Sequence, residues 1–246
     1  MIILFTDFGI KGPYVAQISG AILRHHPGVP ILNLLDDVPP WNVKAGAFLL
    51  AAYRQDFPPG SVFLCVVDPG VGTAREGIVL RAFDQYFVAP DNGLLSLVQR
   101  RAAQVQAWTI SYHAPTLSAT FHGRDLFAPV AAMIAQDGRV PGREIDPAAL
   151  AEPGFPDDLF EVIYLDAYGN ALTGIRAASM DPRAVVQLGE RRMENARTFA
   201  ENPVGTAFWY ENANGLVELA VNQGSAELLL GLRVGDSITV ELPRQD

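Results

Sequence analysis

The sequence of 246 residues contains a single cysteine, Cys65, which lies inside an apolar run. A chain with one thiol cannot form an internal disulfide, and such cysteine usage is typical of a reducing compartment. We therefore expect a cytoplasmic protein. Because no base lies beside Cys65 in the sequence, we interpret it as a buried, inert thiol rather than a nucleophile.

Positive charge is also scarce, since 18 Lys and Arg stand against 27 Asp and Glu and leave a net charge of −9. Nucleic acids and anionic membrane surfaces are bound by basic patches, so we expect neither as a partner. No apolar stretch approaches the length that spans a bilayer. The first five residues are apolar but are soon followed by Asp7, and we interpret them as a strand rather than a signal peptide.

Several catalytic signatures are missing from the sequence. It contains no Gly-x-Ser-x-Gly, no phosphate-binding P-loop, no dinucleotide fingerprint and no Cys or His spacing typical of metal ligands. The candidate chemistry must therefore come from polar side chains outside these motifs.

The patterning predicts two domains. Apolar residues make up 49% of the chain, which is enough for a sizeable core. Over 1–140, strand patterns alternate with helical ones and predict an α/β domain with a central, mostly parallel sheet. Segment 141–158, rich in Pro, Gly and acids, is predicted to be a linker. Over 159–246, short strand-like runs separated by turn residues predict a smaller, mostly β, barrel-like domain.

Two polar clusters are predicted to lie where a strand ends or a helix begins. The first, Asp-Pro-Gly-Val-Gly-Thr at 68–73, follows a strand and is completed by Arg75. The second, Phe-His-Gly-Arg-Asp at 121–125, precedes a helix and contains His122. Side chains in such places reach ligands in α/β proteins. Asp68 could pair with Arg75, although a plain glycine turn and a structural histidine remain open as alternatives.

Other candidates are single residues or short turns. Asp7 follows the first predicted strand, where a carboxylate can accept hydrogen bonds from the two hydroxyls of a ribose or can cap the next helix. Trp41, after two prolines, could stack on a flat ring or anchor the core. The turn 166–170 (Asp-Ala-Tyr-Gly-Asn) could bind an amine or a heterocycle, or be only a turn. Asn222 is a weaker candidate of the same kind.

Taken in order, these motifs resemble those of the S-adenosylmethionine (SAM) hydroxide adenosyltransferases, relatives of the bacterial fluorinase and chlorinase. The resemblance covers nearly the whole chain, and the segments that carry it are 6–9, 40–41, 67–73, 90–93, 120–125, 169–170 and 222–224. It implies a reaction in which SAM and water give adenosine and L-methionine, with no cofactor and no metal.

The resemblance also implies roles for residues of the first domain. Asp7 would hold the ribose hydroxyls, and Trp41 would flank the sugar and the sulfonium. Asp68, Arg75 and His122 would form the catalytic set that holds the attacking water. The halogenases carry Tyr where this chain has Asp68, so a halide is not the expected nucleophile.

For the second domain, the resemblance implies a homotrimer with each site between the first domain of one subunit and the second domain of its neighbour. The residues that would bind substrate from this side are Asp166 for the amino group of methionine, Asn170 for adenine, and Tyr168 and Asn222 in the same pocket.

Two functions of other classes remain open. A metal-dependent phosphoester hydrolase could use strand-end acids and a histidine, namely Asp7, Asp68, Asp91, His122 and Asp125. A non-catalytic module that senses SAM or adenosine would need the pocket but no turnover.

Overall fold

The computed structural model describes residues 1–241, and the chain divides into two compact units, Met1–Phe155 and Pro156–Asp246. Residues 242–246 of the predicted second domain lie outside the described part. Each unit has its own core of buried apolar side chains, as the change of patterning along the sequence predicts.

The first unit contains one seven-stranded sheet. Helices α1 (Tyr14–His25) and α4 (Ala128–Asp137) pack on one face of it through side chains such as Ile22 and Ile134, which share a core cluster with Leu4 and Leu64. Ile3 and Phe63 alternate with these strand residues and are also fully buried, so both faces are covered. The strands are β1 Ile2–Thr6, β2 Ile31–Leu35, β3 Val62–Val66, β4 Gly77–Ala82, β5 Gln85–Pro90, β6 Val105–Ile110 and β7 Gly142–Ile145. Their order across the sheet is β2-β1-β3-β5-β4-β6-β7.

Among the helices of the first unit, the first buries Ile18, Ala21 and Ile22 at helical spacing, whereas the second is buried on all sides over residues 45–52. Asn42 caps the second of them by accepting a hydrogen bond from the Ala45 N–H. Among the described helices, none is both long and apolar enough to cross a bilayer. The helices are α1 Tyr14–His25, α2 Val43–Tyr53, α3 Ser96–Arg101 and α4 Ala128–Asp137.

The sheet is mixed, so the prediction of a mostly parallel sheet was wrong. β1 pairs in parallel with β2 and β3, and β3 pairs in parallel with β5. The other three pairings, β5 with β4, β4 with β6 and β6 with β7, are antiparallel. The change comes from a tight hairpin whose turn residues Phe83 and Asp84 both have positive φ, 53° and 57°, which reverses the chain direction between β4 and β5.

The segment predicted as a linker, 141–158, starts inside the first unit. Its residues Gly142–Ile145 form β7, which pairs with β6 at the edge of the sheet. Further along, the Ala151 N–H donates to the Asp91 carboxylate at 2.8 Å. The division between the two units therefore falls late in this segment, between Phe155 and Pro156.

The second unit is mostly β, as predicted. Its strands pair as two antiparallel sheets, with the orders β12-β13-β9-β8 and β11-β10-β14, which share one apolar core. Barrel-like closure of these sheets stays a prediction. The elements are β8 Leu159–Leu165, β9 Ala171–Arg176, β10 Val185–Leu188, β11 Arg191–Met193, β12 Ala207–Glu211, β13 Leu216–Val221, α5 Ala226–Leu230 and β14 Thr239–Glu241.

Candidate active site

The carboxyl ends of two central strands carry the acids that the sequence singles out. β1 and β3 run side by side in parallel, with Thr6 opposite Val66. Asp7 and Asp68 follow these strands, and both line a cavity of about 760 Å³. Because parallel strands end at the same edge of a sheet, residues 61 positions apart in the sequence reach one cavity.

Arg75 joins two of the predicted catalytic residues. Its Nε donates to Asp68 Oδ1 at 2.8 Å, and its Nη2 donates to Asp68 Oδ2. The same Nη2 lies 3.2 Å from His122 Nδ1. The side chains of Arg75 and Asp68 are only 10% and 5% exposed. The two-pronged pairing holds the carboxylate in one orientation, because guanidinium and carboxylate are both planar.

The three residues of this triad (Asp68, Arg75 and His122) do not occupy equivalent positions. Asp68 and His122 line the cavity, whereas Arg75 is not one of the described residues that line it. The Arg75 guanidinium carbon lies 5.4 Å from the centre of the Phe127 ring. Arg75 therefore supports the other two residues from behind, while Asp68 and His122 can touch a bound molecule.

The loop between Asp68 and Arg75 depends on a close contact with a second loop. Gly72 has φ +82°, and a Cβ built there would lie 2.5 Å from the Ala119 carbonyl oxygen. Only glycine allows this backbone conformation and this approach without strain. The contact joins the loop that carries Asp68 and Arg75 to the segment just before His122.

His122 lies at the start of a π-helical turn, Gly123–Phe127, that leads into α4. Burial and the nearby positive charge of Arg75 lower the pKa of His122 below its ordinary value of 6.5. The imidazole is therefore neutral at pH 7. A neutral imidazole offers one donor and one acceptor, which suits it to orient a water molecule.

Asp7 lines the cavity and also makes a structural contact. Its Oδ2 accepts a hydrogen bond of 2.9 Å from the backbone N–H of Trp41. Trp41 has φ 60° and is 76% exposed, an unusual conformation for a bulky residue. Burial raises the pKa of Asp7, and the negative charge of Asp68 raises it further. Such strain and unfavourable burial are typical of functional sites.

One wall of the cavity is aromatic, and the sequence did not predict it. The rings of Phe8, Tyr14 and Phe121 lie 5.6 to 5.9 Å apart and all line the cavity. Phe8 directly follows the candidate Asp7, and Phe121 directly precedes the candidate His122. Both also lie in segments that carry the family resemblance, and these two signals could have found them.

Two of the four acids of the metal-hydrolase alternative, Asp91 and Asp125, do not line the cavity and are engaged in other hydrogen bonds. Asp91 accepts from the Ala151 N–H, and Asp125 accepts from both Arg124 and the Ser118 N–H. Within residues 1–241, no group of three or more His, Cys, Asp or Glu side chains is arranged to hold a metal ion. The arrangement of side chains therefore does not support that alternative.

The substrate-binding residues predicted for the second unit gather at one turn. Asp166 Oδ1 accepts from the backbone N–H groups of Tyr168 and Asn170 at 2.9 and 2.8 Å, and its Oδ2 accepts from Asn170 Nδ2 at 3.0 Å. Tyr168 is 81% exposed. Asn170 is buried, and within the described residues its Oδ1 has no hydrogen-bond partner. A buried acceptor of this kind can take a donor from a ligand.

Asn222 lies at the same edge of the sheet as this turn. β13 and β9 pair in antiparallel register, with Leu219 opposite Ala171, so the end of β13 lies beside the start of β9. Asn222 Nδ2 donates to the Asn202 carbonyl at 2.7 Å. This hydrogen bond gives Asn222 a structural role whether or not it also contacts a ligand.

Comparison with known proteins decides the family. Residues 2–142 match the SAM hydroxide adenosyltransferase N-terminal domain, and residues 160–239 match the corresponding C-terminal domain. The chain belongs to the SAM hydroxide adenosyltransferase family. The resemblance inferred from the motifs is confirmed, and the triad lies within the matched N-terminal domain.

Individual relatives agree with this family over nearly full length. A Thermus thermophilus protein named (R)-S-adenosyl-L-methionine hydrolase is 36% identical over 94% of this chain and 95% of its own length. A fluorinase from Nocardia brasiliensis is 24% identical over 98% of this chain and 97% of its own length. The crystal structure of an uncharacterized conserved protein from Thermotoga maritima superposes with a TM-score of 0.87, at 34% identity and over 98% and 100% of the two chains.

We expect Gly72→Ala to lower the free energy of unfolding by about 1–3 kcal/mol, because the new Cβ would have both a strained φ and a clash with Ala119. Gly70→Ala is a matched control in the same loop, since its nearest contact is 3.6 Å away. It should stay within about 0.5 kcal/mol of the parent. Denaturant titration measures both, and equal losses would contradict the proposed close contact.

Proposed function

We propose that the protein hydrolyses SAM to adenosine and L-methionine by in-line attack of water on C5′ of the ribose. The observation that carries this proposal is that Asp68 and His122, both held by Arg75, face the same cavity as Asp7. The name of the Thermus thermophilus relative supports the same reaction and specifies the (R) epimer at sulfur, which we propose as the preferred substrate.

The chemistry suits a site built only from side chains. The leaving group is a neutral thioether that departs from a sulfonium cation, so no negative charge develops on it. We therefore propose that no cofactor takes part. The protein has to place a water molecule opposite the C5′–S bond and accept one proton. Positioning can contribute several kcal/mol, and proton transfer to a base can add about 10²–10⁴-fold.

The remaining residues would bind the ends of the substrate. Asp7 has a carboxylate at the cavity that can accept from the ribose hydroxyls, and Trp41 lies beside it. The buried Oδ1 of Asn170 can accept from the exocyclic amine of adenine. The carboxylate of Asp166 can accept from the amino group of methionine, and the exposed ring of Tyr168 can cover the same ligand.

We further propose the cytoplasmic homotrimer that the family resemblance implies, with each site shared between subunits. Large apolar side chains are exposed near the candidate residues of both units, including Ile10 at 82%, Trp41 at 76%, Tyr168 at 81% and Leu228 at 83%. Such exposure is typical of surfaces covered by another chain. Light scattering in solution would measure the mass, and a monomer that retains full activity would contradict a shared site.

The direct test is incubation of the protein with each sulfonium epimer of SAM, followed by chromatography for adenosine and methionine. We expect equal amounts of the two products, faster release from the (R) epimer, and no effect of EDTA. Loss of activity in EDTA would favour the metal-dependent hydrolase. Tight binding without product would favour the sensing module.

We expect Asp68→Ala and His122→Ala to lower kcat by about 10²–10⁴-fold, because each removes a group that faces the attacking water. Calorimetric titration should show that both variants still bind SAM with nearly unchanged affinity. Near-normal turnover in either variant would contradict the assignment of the triad.

We expect Asp7→Asn to raise KM by about 10–100-fold with a smaller change in kcat, because a charged acceptor for the ribose hydroxyls is lost. The free energy of unfolding should not fall, since burial disfavours the Asp7 carboxylate in the folded state. Asp84→Asn on the exposed hairpin turn, with a side chain 77% exposed, is the matched control and should change neither quantity. A KM equal to that of the control would exclude Asp7 from binding.

We expect kcat to stay constant between pH 8 and pH 6.5 and to decrease at a pH below 6.5. Burial and the charge of Arg75 make His122 bind a proton more weakly than an ordinary histidine, so its neutral form persists to a lower pH. A pH–rate profile measures the midpoint. A midpoint above 6.5 would mean that another group controls the reaction.

A further inference from the structure

We propose that His122 donates a hydrogen bond from Nε2 to the attacking water and that Asp68 takes the proton from that water. This assignment rests on the hydrolysis proposed above and adds to it the direction of each hydrogen bond. It makes Asp68 the base, His122 a donor that holds the nucleophile, and Arg75 a positioning residue.

The direction of the contact between Arg75 and His122 follows from the chemistry of the two groups. A guanidinium has only N–H donors, so Nη2 of Arg75 can approach His122 Nδ1 at 3.2 Å favourably only if Nδ1 presents a lone pair. A doubly protonated ring would set an N–H against an N–H and one positive charge beside another. The neutral ring must therefore carry its proton on Nε2.

The Nε2–H of His122 is left to the cavity. Within the described residues, the contact with Arg75 is the one hydrogen bond recorded for this ring, and the ring itself lines the cavity. Because Arg75 holds the Nδ1 edge from behind, the opposite edge can meet a bound molecule. A protonated nitrogen cannot accept a second proton, so His122 in this tautomer cannot be the base.

Asp68 has the complementary property. Each of its carboxylate oxygens accepts one N–H from Arg75 and keeps a lone pair, and the side chain also lines the cavity. A water molecule can accept from His122 Nε2 and donate one O–H to Asp68. One lone pair of its oxygen is then free to point at C5′ of the substrate.

The step balances with these groups alone. The water oxygen forms a bond to C5′ while the C5′–S bond breaks, and the bonding electron pair goes to sulfur, which becomes a neutral thioether. One water proton moves to the Asp68 carboxylate and is later released to solvent. The sulfonium cation and water thus give adenosine, methionine and one proton.

Two amide substitutions at His122 test whether this residue acts as a hydrogen-bond donor or as a base. The amide nitrogen of Gln in His122→Gln can reach the place of Nε2 and keep a donor at the water. His122→Asn can replace only the shorter Nδ1 edge, so it keeps an acceptor for Arg75 but lacks the donor. We expect kcat of His122→Gln to stay within about tenfold of the parent and that of His122→Asn to fall about 10²–10³-fold.

The pH profile adds a second readout. If His122 is only a donor, the decrease of kcat below pH 6.5 should disappear in His122→Gln, because an amide does not titrate there. Asp68→Asn, which keeps the size of the side chain but not the base, should be as inactive as Asp68→Ala. An active Asp68→Asn variant, or Gln and Asn variants that are folded and lose activity equally, would overturn the proposal.

The tautomer can be measured without any variant. Two-bond ¹H–¹⁵N correlation spectra of the histidine rings distinguish a proton on Nε2 from one on Nδ1, and we expect Nε2 for His122 at pH 8. A proton on Nδ1 would overturn the assignment. If the protein released no adenosine from SAM, the proposed function would fail, whereas this spectrum of the free protein would still decide the tautomer.

Discussion

The guanidinium of Arg75 fixes the two side chains on which the candidate site depends. It binds both oxygens of Asp68 and approaches Nδ1 of His122, and it is itself almost completely buried. A buried cation is tolerated only with a close anionic partner, and Asp68 supplies that partner. The pairing therefore does two things at once: it neutralises a buried charge, and it turns Asp68 and His122 toward the cavity in defined orientations.

The rest of the first unit can be understood as a support for this contact. Asp68 follows the end of β3, and Asn92 fixes this end by donating a hydrogen bond from Nδ2 to the Val67 carbonyl at 2.9 Å. Gly72 lets the loop pack against the segment before His122. Asp7 keeps an unfavourably buried carboxylate beside a strained Trp41. The buried Asp7 carboxylate and the strained Trp41 backbone cost stability, and both lie at the cavity, where such strain is typical of a functional site.

Much of the fold follows from local pattern, and its failures have local causes. The apolar runs of β1 and β3 and the helical spacing of α1 were predictable, because the two strands are buried on both faces and α1 buries Ile18, Ala21 and Ile22 on one face. β7 was missed because it lies among Pro and Gly residues that are typical of a linker. The mixture of parallel and antiparallel pairings was not predicted, because the local periodicity of the sequence does not determine which strands become neighbours.

For the site, the sequence by itself determined the chemical types and the order of the motifs, and these were enough to indicate the family. Only the tertiary structure decided that Arg75 lies behind the cavity, that its Nη2 meets Nδ1 of a histidine 47 positions away, and that aromatic rings form one wall. The reason is physical. Residue types depend on the chain alone, whereas the atom that faces a ligand depends on which distant loops the packed strands and helices bring into contact.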